Sequence, residues 1–324
     1  MVITRRHLFC LLFMFWGHAV MAAALTSAHK QQALADLAAL SATTLAGRET
    51  GTAGSIRAAA IIAERFGALG LAMLGNDYRQ PFVYQSKGNQ HAGVNVAGMI
   101  KGVSQPARVI VISAHYDHLG IQGGRIYPGA DDNASGVAAL LLLAEYFSQY
   151  PPAHTLMFVA FDAEEPGLHG SAAWLAARQT KGYDIRLNIN LDMLANGGRR
   201  NALFVFFSDE AEFLKPAVRD SIAKRDLPNL LTRIGRGRYP RDVRGAQGRI
   251  NWRQASDHAS FMAQNIAAVF IGSHTHQHYH QPSDTFENVV QAFFNSALEV
   301  ALDVALIADG QLSPGRLSRP ESER

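Results

Sequence analysis

Residues 109–117 read Val109-Ile110-Val111-Ile112-Ser113-Ala114-His115-Tyr116-Asp117. An apolar run with nothing to turn toward water fits a strand buried on both faces. The run ends in residues that can carry chemistry. Leu156 to Phe161 is a second such strand, followed by Glu164-Glu165, and Leu187 to Leu191 a third, followed by Asp192. In an open α/β sheet the carboxyl ends of the strands form the functional crevice. Three separate strand ends therefore deliver His115, Glu164-Glu165 and Asp192 to one place.

Working outward, positions 28–46 and 53–74 show helical spacing through Leu34, Leu37 and Leu40, then Ile61, Ile62, Phe66 and Leu69. Val94 to Ile100, Leu203 to Phe207 and Ala267 to Ile271 read as strands. Ala134 to Tyr150 reads as a helix that stops before Pro151-Pro152. Leu168 to Gln179, Asp209 to about Lys224 and Thr285 to Ile307 are the remaining helices. Strands alternating with helices predict an α/β fold, a three-layer α/β/α sandwich around a mostly parallel mixed sheet. Thr232 to Arg253 lacks periodicity, is rich in Gly and Arg and reads as a long loop. It is either a solvated surface loop or an overhang that attracts peptides with acidic residues. No internal repeat is evident, and the segment between residues 75 and 110 is too short for an interposed domain.

Arg5 and Arg6 precede an apolar run, Leu8 to Val20, broken only by His18, and Ala22-Ala23-Ala24 follow. This is the pattern of a secretory signal peptide over residues 1–24. Periplasmic or secreted localisation is expected, with no stable membrane insertion after cleavage and the export route open. Cys10, the one cysteine of the chain, lies within that segment, so no disulfide is expected. One catalytic domain over 25–311 and a disordered tail over 312–324 complete the expected organisation. A net charge of +3 on 324 residues gives no reason to invoke nucleic acid.

Several carboxylates and two histidines cannot all keep their charges at close range without a cation. Mixed His and carboxylate donors without thiolates suit zinc, with manganese or cobalt as substitutes. Taken singly, Glu164-Glu165 reads as a solvated helix end and Asp131-Asp132 as a helix cap. Their shared position at strand ends is what speaks for a site.

The motifs, in order, are His115-x-Asp117; Gly129-Ala130-Asp131-Asp132-Asn133-Ala134-Ser135-Gly136; Asp162-Ala163-Glu164-Glu165-x-Gly167-Leu168-x-Gly170-Ser171; Asn190-Leu191-Asp192-Met193; Ser256-Asp257-His258; and Tyr279-His280-x-Pro282-x-Asp284. Over about residues 90–290 the chain resembles the bacterial leucyl-type two-zinc aminopeptidases, related to glutamate carboxypeptidase and the transferrin receptor. The resemblance implies a zinc-exopeptidase fold, two zinc ions per chain and peptide substrates with a free N-terminus. Asp132 would bridge the ions, with His115 and Asp192 on one and Glu165 and His280 on the other. Glu164 would be the general base, Tyr279 a donor to the oxyanion, and Asp117 the partner of the second His115 nitrogen. Other members place the tyrosine just before the Ser-Asp-His run, where this chain has Arg253. His118 and His169 are candidates for lining the pocket, His274, His276 and His278 for its rim, and His258 for packing beneath it. A carboxypeptidase, a glutaminyl cyclase-like enzyme and a non-catalytic receptor-like protein are the alternatives.

Overall fold

Among the described residues, nine strands form one sheet: β1 (Ala72–Met73), β2 (Arg79–Ser86), β3 (Asn89–Ile100), β4 (Gln105–His115), β5 (His154–Phe161), β6 (Asp184–Asp192), β7 (Ala202–Phe207), β8 (Leu231–Arg236) and β9 (Ala267–Ser273). This computed structural model describes residues 24–312, apart from 180–181, 228, 237–243, 246–247 and 250. The expected signal peptide and tail therefore lie almost wholly outside the described residues. The sheet order is β1-β3-β5-β4-β6-β9-β7-β8, with β2 paired to the edge of β3. The central run β5-β4-β6-β9 is parallel, as is β7 with β8; β3 meets β5, and β9 meets β7, antiparallel. The sheet is thus mixed, with its parallel pairing concentrated where both faces are covered.

Alternation within the continuous apolar strands explains that cover. Ile110, Ile112, Leu156 and Phe158 face one hydrophobic cluster, while Val109, Val111, Met157 and Val159 face another. On the first face lie α1 (Ser27–Leu40), α2 (Ala53–Ala68), α3 (Gly136–Gln149), α5 (Lys215–Ala223) and α7 (Gln291–Gln311); on the second lie α4 (His169–Gln179) and α6 (His258–Met262). Every residue of β5 is buried. α7 is long and apolar enough to cross a membrane, but most of its apolar window is buried inside the protein, as in a core helix.

Several boundaries differ from the sequence reading, for local reasons. α1 ends at Leu40, where the Ser41 hydroxyl donates to the Leu37 carbonyl at 2.8 Å. Positive φ values at Ala46, Gly47 and Arg48 then exclude a continued helix. α2 stops at Ala68, before Gly70 at φ 72°. The closing helix starts at Gln291, after a short turn at Phe286–Asn288. The expected loop from Thr232 begins instead as strand β8, parallel to β7. An edge strand has one partner and one packed face, so Leu231 to Arg236 carries too few apolar residues to show periodicity.

Candidate metal centre

The sheet register brings the strand ends level. His115 pairs with Phe161, Ser113 with Asn190 and Gly272 with Asp192. His115 closes β4, Asp192 closes β6, and Glu164-Glu165 follow β5. Asp132 comes from the turn Ala130–Ser135 that leads into α3, and His280 from the loop after β9. His115 Nε2 lies 3.4 Å from Asp132 Oδ1 and 3.5 Å from Asp192 Oδ1. His280 Nε2 lies 3.1 Å from Asp132 Oδ2 and 3.4 Å from Glu165 Oε2. The two carboxylate oxygens of Asp132 thus face different histidines. Glu164 lines the same cleft, together with Met193, Trp252, Ala255, Phe270 and Tyr279.

The backbone is strained beside these groups. Ala163, just before Glu164, has φ 56°; Met193, just after Asp192, has φ 59°; His280 itself has φ 53°. Left-handed backbone outside glycine costs free energy and persists where surrounding bonds over-determine it. Those bonds are present. The Asn133 side chain donates to Leu191 O at 3.0 Å and accepts from Met193 N at 3.1 Å, joining the Asp132 turn to the end of β6. Asp284 accepts from the N–H groups of Asp131 and Asp132, each at 3.0 Å. Asp131 accepts from Ala195 N at 2.6 Å and bonds His276 Nε2 at 2.8 Å, which ties the His280 loop to the same turn. Gly129, at φ 60°, admits no side chain, since a Cβ would sit 2.2 Å from Asp132 O and 2.6 Å from the His118 ring.

Two placements depart from the sequence reading, those of Asp117 and His118. His115 Nδ1 bonds the backbone carbonyl of Asp117 at 3.2 Å, while the Asp117 carboxylate stands off at 3.8 Å. That carboxylate instead accepts from the N–H groups of Glu164 and Glu165, at 3.1 and 3.3 Å. Asp117 therefore fixes the Glu164-Glu165 segment. His118 is more than a lining residue: its Nδ1 lies 2.8 Å from Glu165 Oε1 and 3.8 Å from Asp132 Oδ2, so it joins a second donor group. Tyr279 stacks on the His280 ring at 3.9 Å between centroids.

Among the other histidines, His169 stacks on Tyr84, and His274 and His278 sit on the partly buried loop after β9. In the Arg-rich segment, Arg238 and Arg241 lie outside the described residues. Arg253 is 3.7 Å from Asp209 at the surface.

Burial pushes the Glu164 carboxyl well above the usual range; His115 pulls it down, and Asp257, Glu165 and Asp192 push it further up. Burial also acts on Glu165, but hydrogen bonds with His118 and His280 outweigh it and hold that carboxyl well below its ordinary value. Burial would lower the His280 imidazole, yet its bonds to Asp132 and Glu165 raise it to about 10. The carboxylates thus demand positive charge, which divalent cations among the same donors would supply. The donor geometry fits: His115, Asp132 and Asp192 form one group and His118, Asp132 and Glu165 another, with the donor atoms of each group within 4.8 Å of one another. Among the described residues, buried Asp192 Oδ1 has no hydrogen-bond partner.

His258 packs between Phe206 and Phe270, fully buried, its Nε2 against the Trp252 carbonyl. Burial lowers it from 6.5 to about 4, so it is neutral in the folded protein. The unfolded chain binds a proton between those values, so its contribution is full above pH 6.5 and lost as pH falls toward 4. The loss should reach about 2–3 kcal/mol by pH 4.5. Urea unfolding of wild-type and His258→Gln protein at pH 7 and 4.5 checks this. Parallel pH dependence in the two proteins would exclude a neutral buried His258.

The model of peptidase family M28 matches residues 95–305. The chain belongs to that family. This M28 chain is 37% identical over 106 residues to a probable zinc metalloprotease of Pyrenophora tritici-repentis, covering 31% of the chain and 24% of that protein. The chain thus spans about a quarter of the length of such curated relatives. Among solved structures it resembles BSAP, a zinc aminopeptidase from Bacillus subtilis, with a TM-score of 0.65 and 16% identity over 85% of this chain and 94% of that one. A glutaminyl cyclase from Fimbriiglobus ruber matches with a TM-score of 0.67 and 19% identity over 86% and 95%. At these identities the structural likeness speaks for the fold.

Proposed function

We propose that the protein is an exported two-zinc aminopeptidase that hydrolyses the first peptide bond of peptides. The observation carrying this reading is the pair of donor groups that share Asp132, with Glu164 beside them in one cleft. His115, Asp132 and Asp192 would hold one ion, and Asp132, Glu165 and His280 the other, with His118 fixing Glu165. When bound, the ions acidify a water and polarise the scissile carbonyl. Glu164 accepts that water's proton on its carboxylate and returns it to the leaving amine. A carboxylate lining the same cleft as both donor groups can serve both halves of that transfer. The Tyr279 hydroxyl donates to the developing oxyanion. The substrate's α-amine sits among the carboxylates, which places the first peptide bond over Glu164. Export is supported by Arg5-Arg6, the apolar run Leu8 to Val20 and Ala22-Ala23-Ala24, and the mass of the mature N-terminus tests it.

A glutaminyl cyclase-like activity is the second reading, because that fold is shared. One experiment separates the two. Protein stripped by a chelator is titrated with zinc, its metal content is counted, and it is given one peptide series with free and N-acetylated termini, including one that starts with Gln. The expected result is two zinc ions per chain, release of the first residue from free termini only, and free glutamine from the Gln peptide. Cleavage of acetylated peptides, release from the C-terminus first or full activity without metal would overturn the aminopeptidase reading. A cyclised Gln terminus with one zinc would favour the cyclase.

A further inference from the structure

Arg48 lies outside the span matched by the family model. It is 1% exposed. Its side-chain hydrogen bonds to the described residues go to backbone carbonyls and none to a carboxylate. Its Nε donates to Tyr116 O at 2.7 Å, Nη1 to Leu40 O at 2.6 Å and to Pro128 O at 2.5 Å, and Nη2 to Gly129 O at 2.9 Å. Its own carbonyl accepts from His118 N at 3.4 Å. A buried charge is costly unless its hydrogen bonds are made, and here all three nitrogens of the fork donate. Burial lowers the guanidinium to about 10, so it remains charged at neutral pH.

What the fork joins is specific. Tyr116 lies between His115 and Asp117, and Pro128-Gly129 lead into the turn that carries Asp132. Leu40 anchors the assembly to the end of α1. Neither ligand segment is held to the other by a regular backbone ladder at this point, since Tyr116 has left β4 and Gly129 precedes α3. The chain around Arg48 is itself shaped for the task. Gly47 packs so closely on the next segment that a Cβ would sit 2.5 Å from both Gly120 O and Tyr127 O.

We propose that Arg48 is a positioning residue that holds the His115 segment and the Asp132 turn in metal-ready register before any ion binds. The inference rests on the two-zinc reading. The fork acts through geometry: planar guanidinium reaches several carbonyls at once, whereas lysine keeps the charge but offers a single ammonium. Loss of an outer partner that orients metal ligands weakens binding by roughly 10–100-fold.

The test uses the mature protein with Arg48→Lys and Arg48→Met, plus Val218→Ala, a buried α5 position, as a destabilised control. Zinc dissociation constants are measured by competition with a chromogenic chelator, and thermal midpoints are taken on metal-free protein. Both Arg48 variants should bind zinc roughly 10–100-fold more weakly at the first ion, while Val218→Ala loses thermal stability and keeps wild-type zinc affinity. Wild-type affinity in either folded Arg48 variant overturns the proposal, and so does full rescue by lysine, which would assign the effect to charge. A third measurement needs no variant. Metal-free wild-type protein labelled with 15N-arginine should show a slowly exchanging Nε–H, and its absence overturns the proposal even if both variants fail to fold. A wild-type protein that binds no zinc would instead sink the metal reading itself.

Discussion

Glu164→Gln is expected to leave both zinc ions bound and to lower kcat by about 10²–10⁴-fold, the usual contribution of a positioned general base. The amide is nearly the same size and cannot take up the water's proton. The segment should survive the change, because Asp117 holds the N–H groups of Glu164 and Glu165 through the backbone, whatever side chain residue 164 carries. Single-turnover kinetics with a metal count on the same sample check it. If the variant loses zinc while turnover stays normal, base and ligand have been assigned to the wrong members of the pair.

Asp132→Ala should have the larger effect. Asp132 is the member common to both donor groups, and its two oxygens face His115 and His280 on opposite sides. Alanine removes a donor from each at once, and it takes from His280 the Asp132 carboxylate that lies 3.1 Å from its Nε2 and helps raise its pKa. The expected outcome is loss of zinc at stoichiometric concentrations and activity at background. Far-UV circular dichroism should stay native, because Asp284 and Asn133 hold the turn through other atoms. Retention of two tightly bound ions in this variant would refute a shared ligand.

The parts of this molecule that were legible in the sequence are those whose physics is local. The runs Val109 to Ala114 and Leu156 to Phe161 announce strands because both faces must be apolar. His115, Glu164-Glu165 and Asp192 stand out because they directly follow such runs. β2 escaped because an edge hairpin that alternates exposed and half-buried residues needs no apolar run, and Pro81 interrupts it. His118 was visible as a neighbour of His115-x-Asp117, but only the fold sets its Nδ1 on Glu165. Arg48 gave no signal at all. Its partners are backbone carbonyls, which every residue possesses, so nothing in the sequence marks whom it serves. The Asp117 carboxylate illustrates the same limit: its position in the motif is plain, while its choice of two N–H groups over an imidazole depends on the path the chain takes after β5, which sets the Glu164 and Glu165 amides against it.

Asp132 also has a thermodynamic consequence. Because one side chain is common to both donor groups, two ions held as proposed would not load independently. The first ion would fix the Asp132 carboxylate and so lower the ordering cost of the second, while its charge would repel the newcomer. Whichever wins, the coupling free energy is reciprocal: the factor by which either ion changes the affinity of the other is the same in both directions. The half-loaded protein is then scarce if ordering dominates and abundant if repulsion does, so the shape of a zinc titration reports the balance at this one carboxylate.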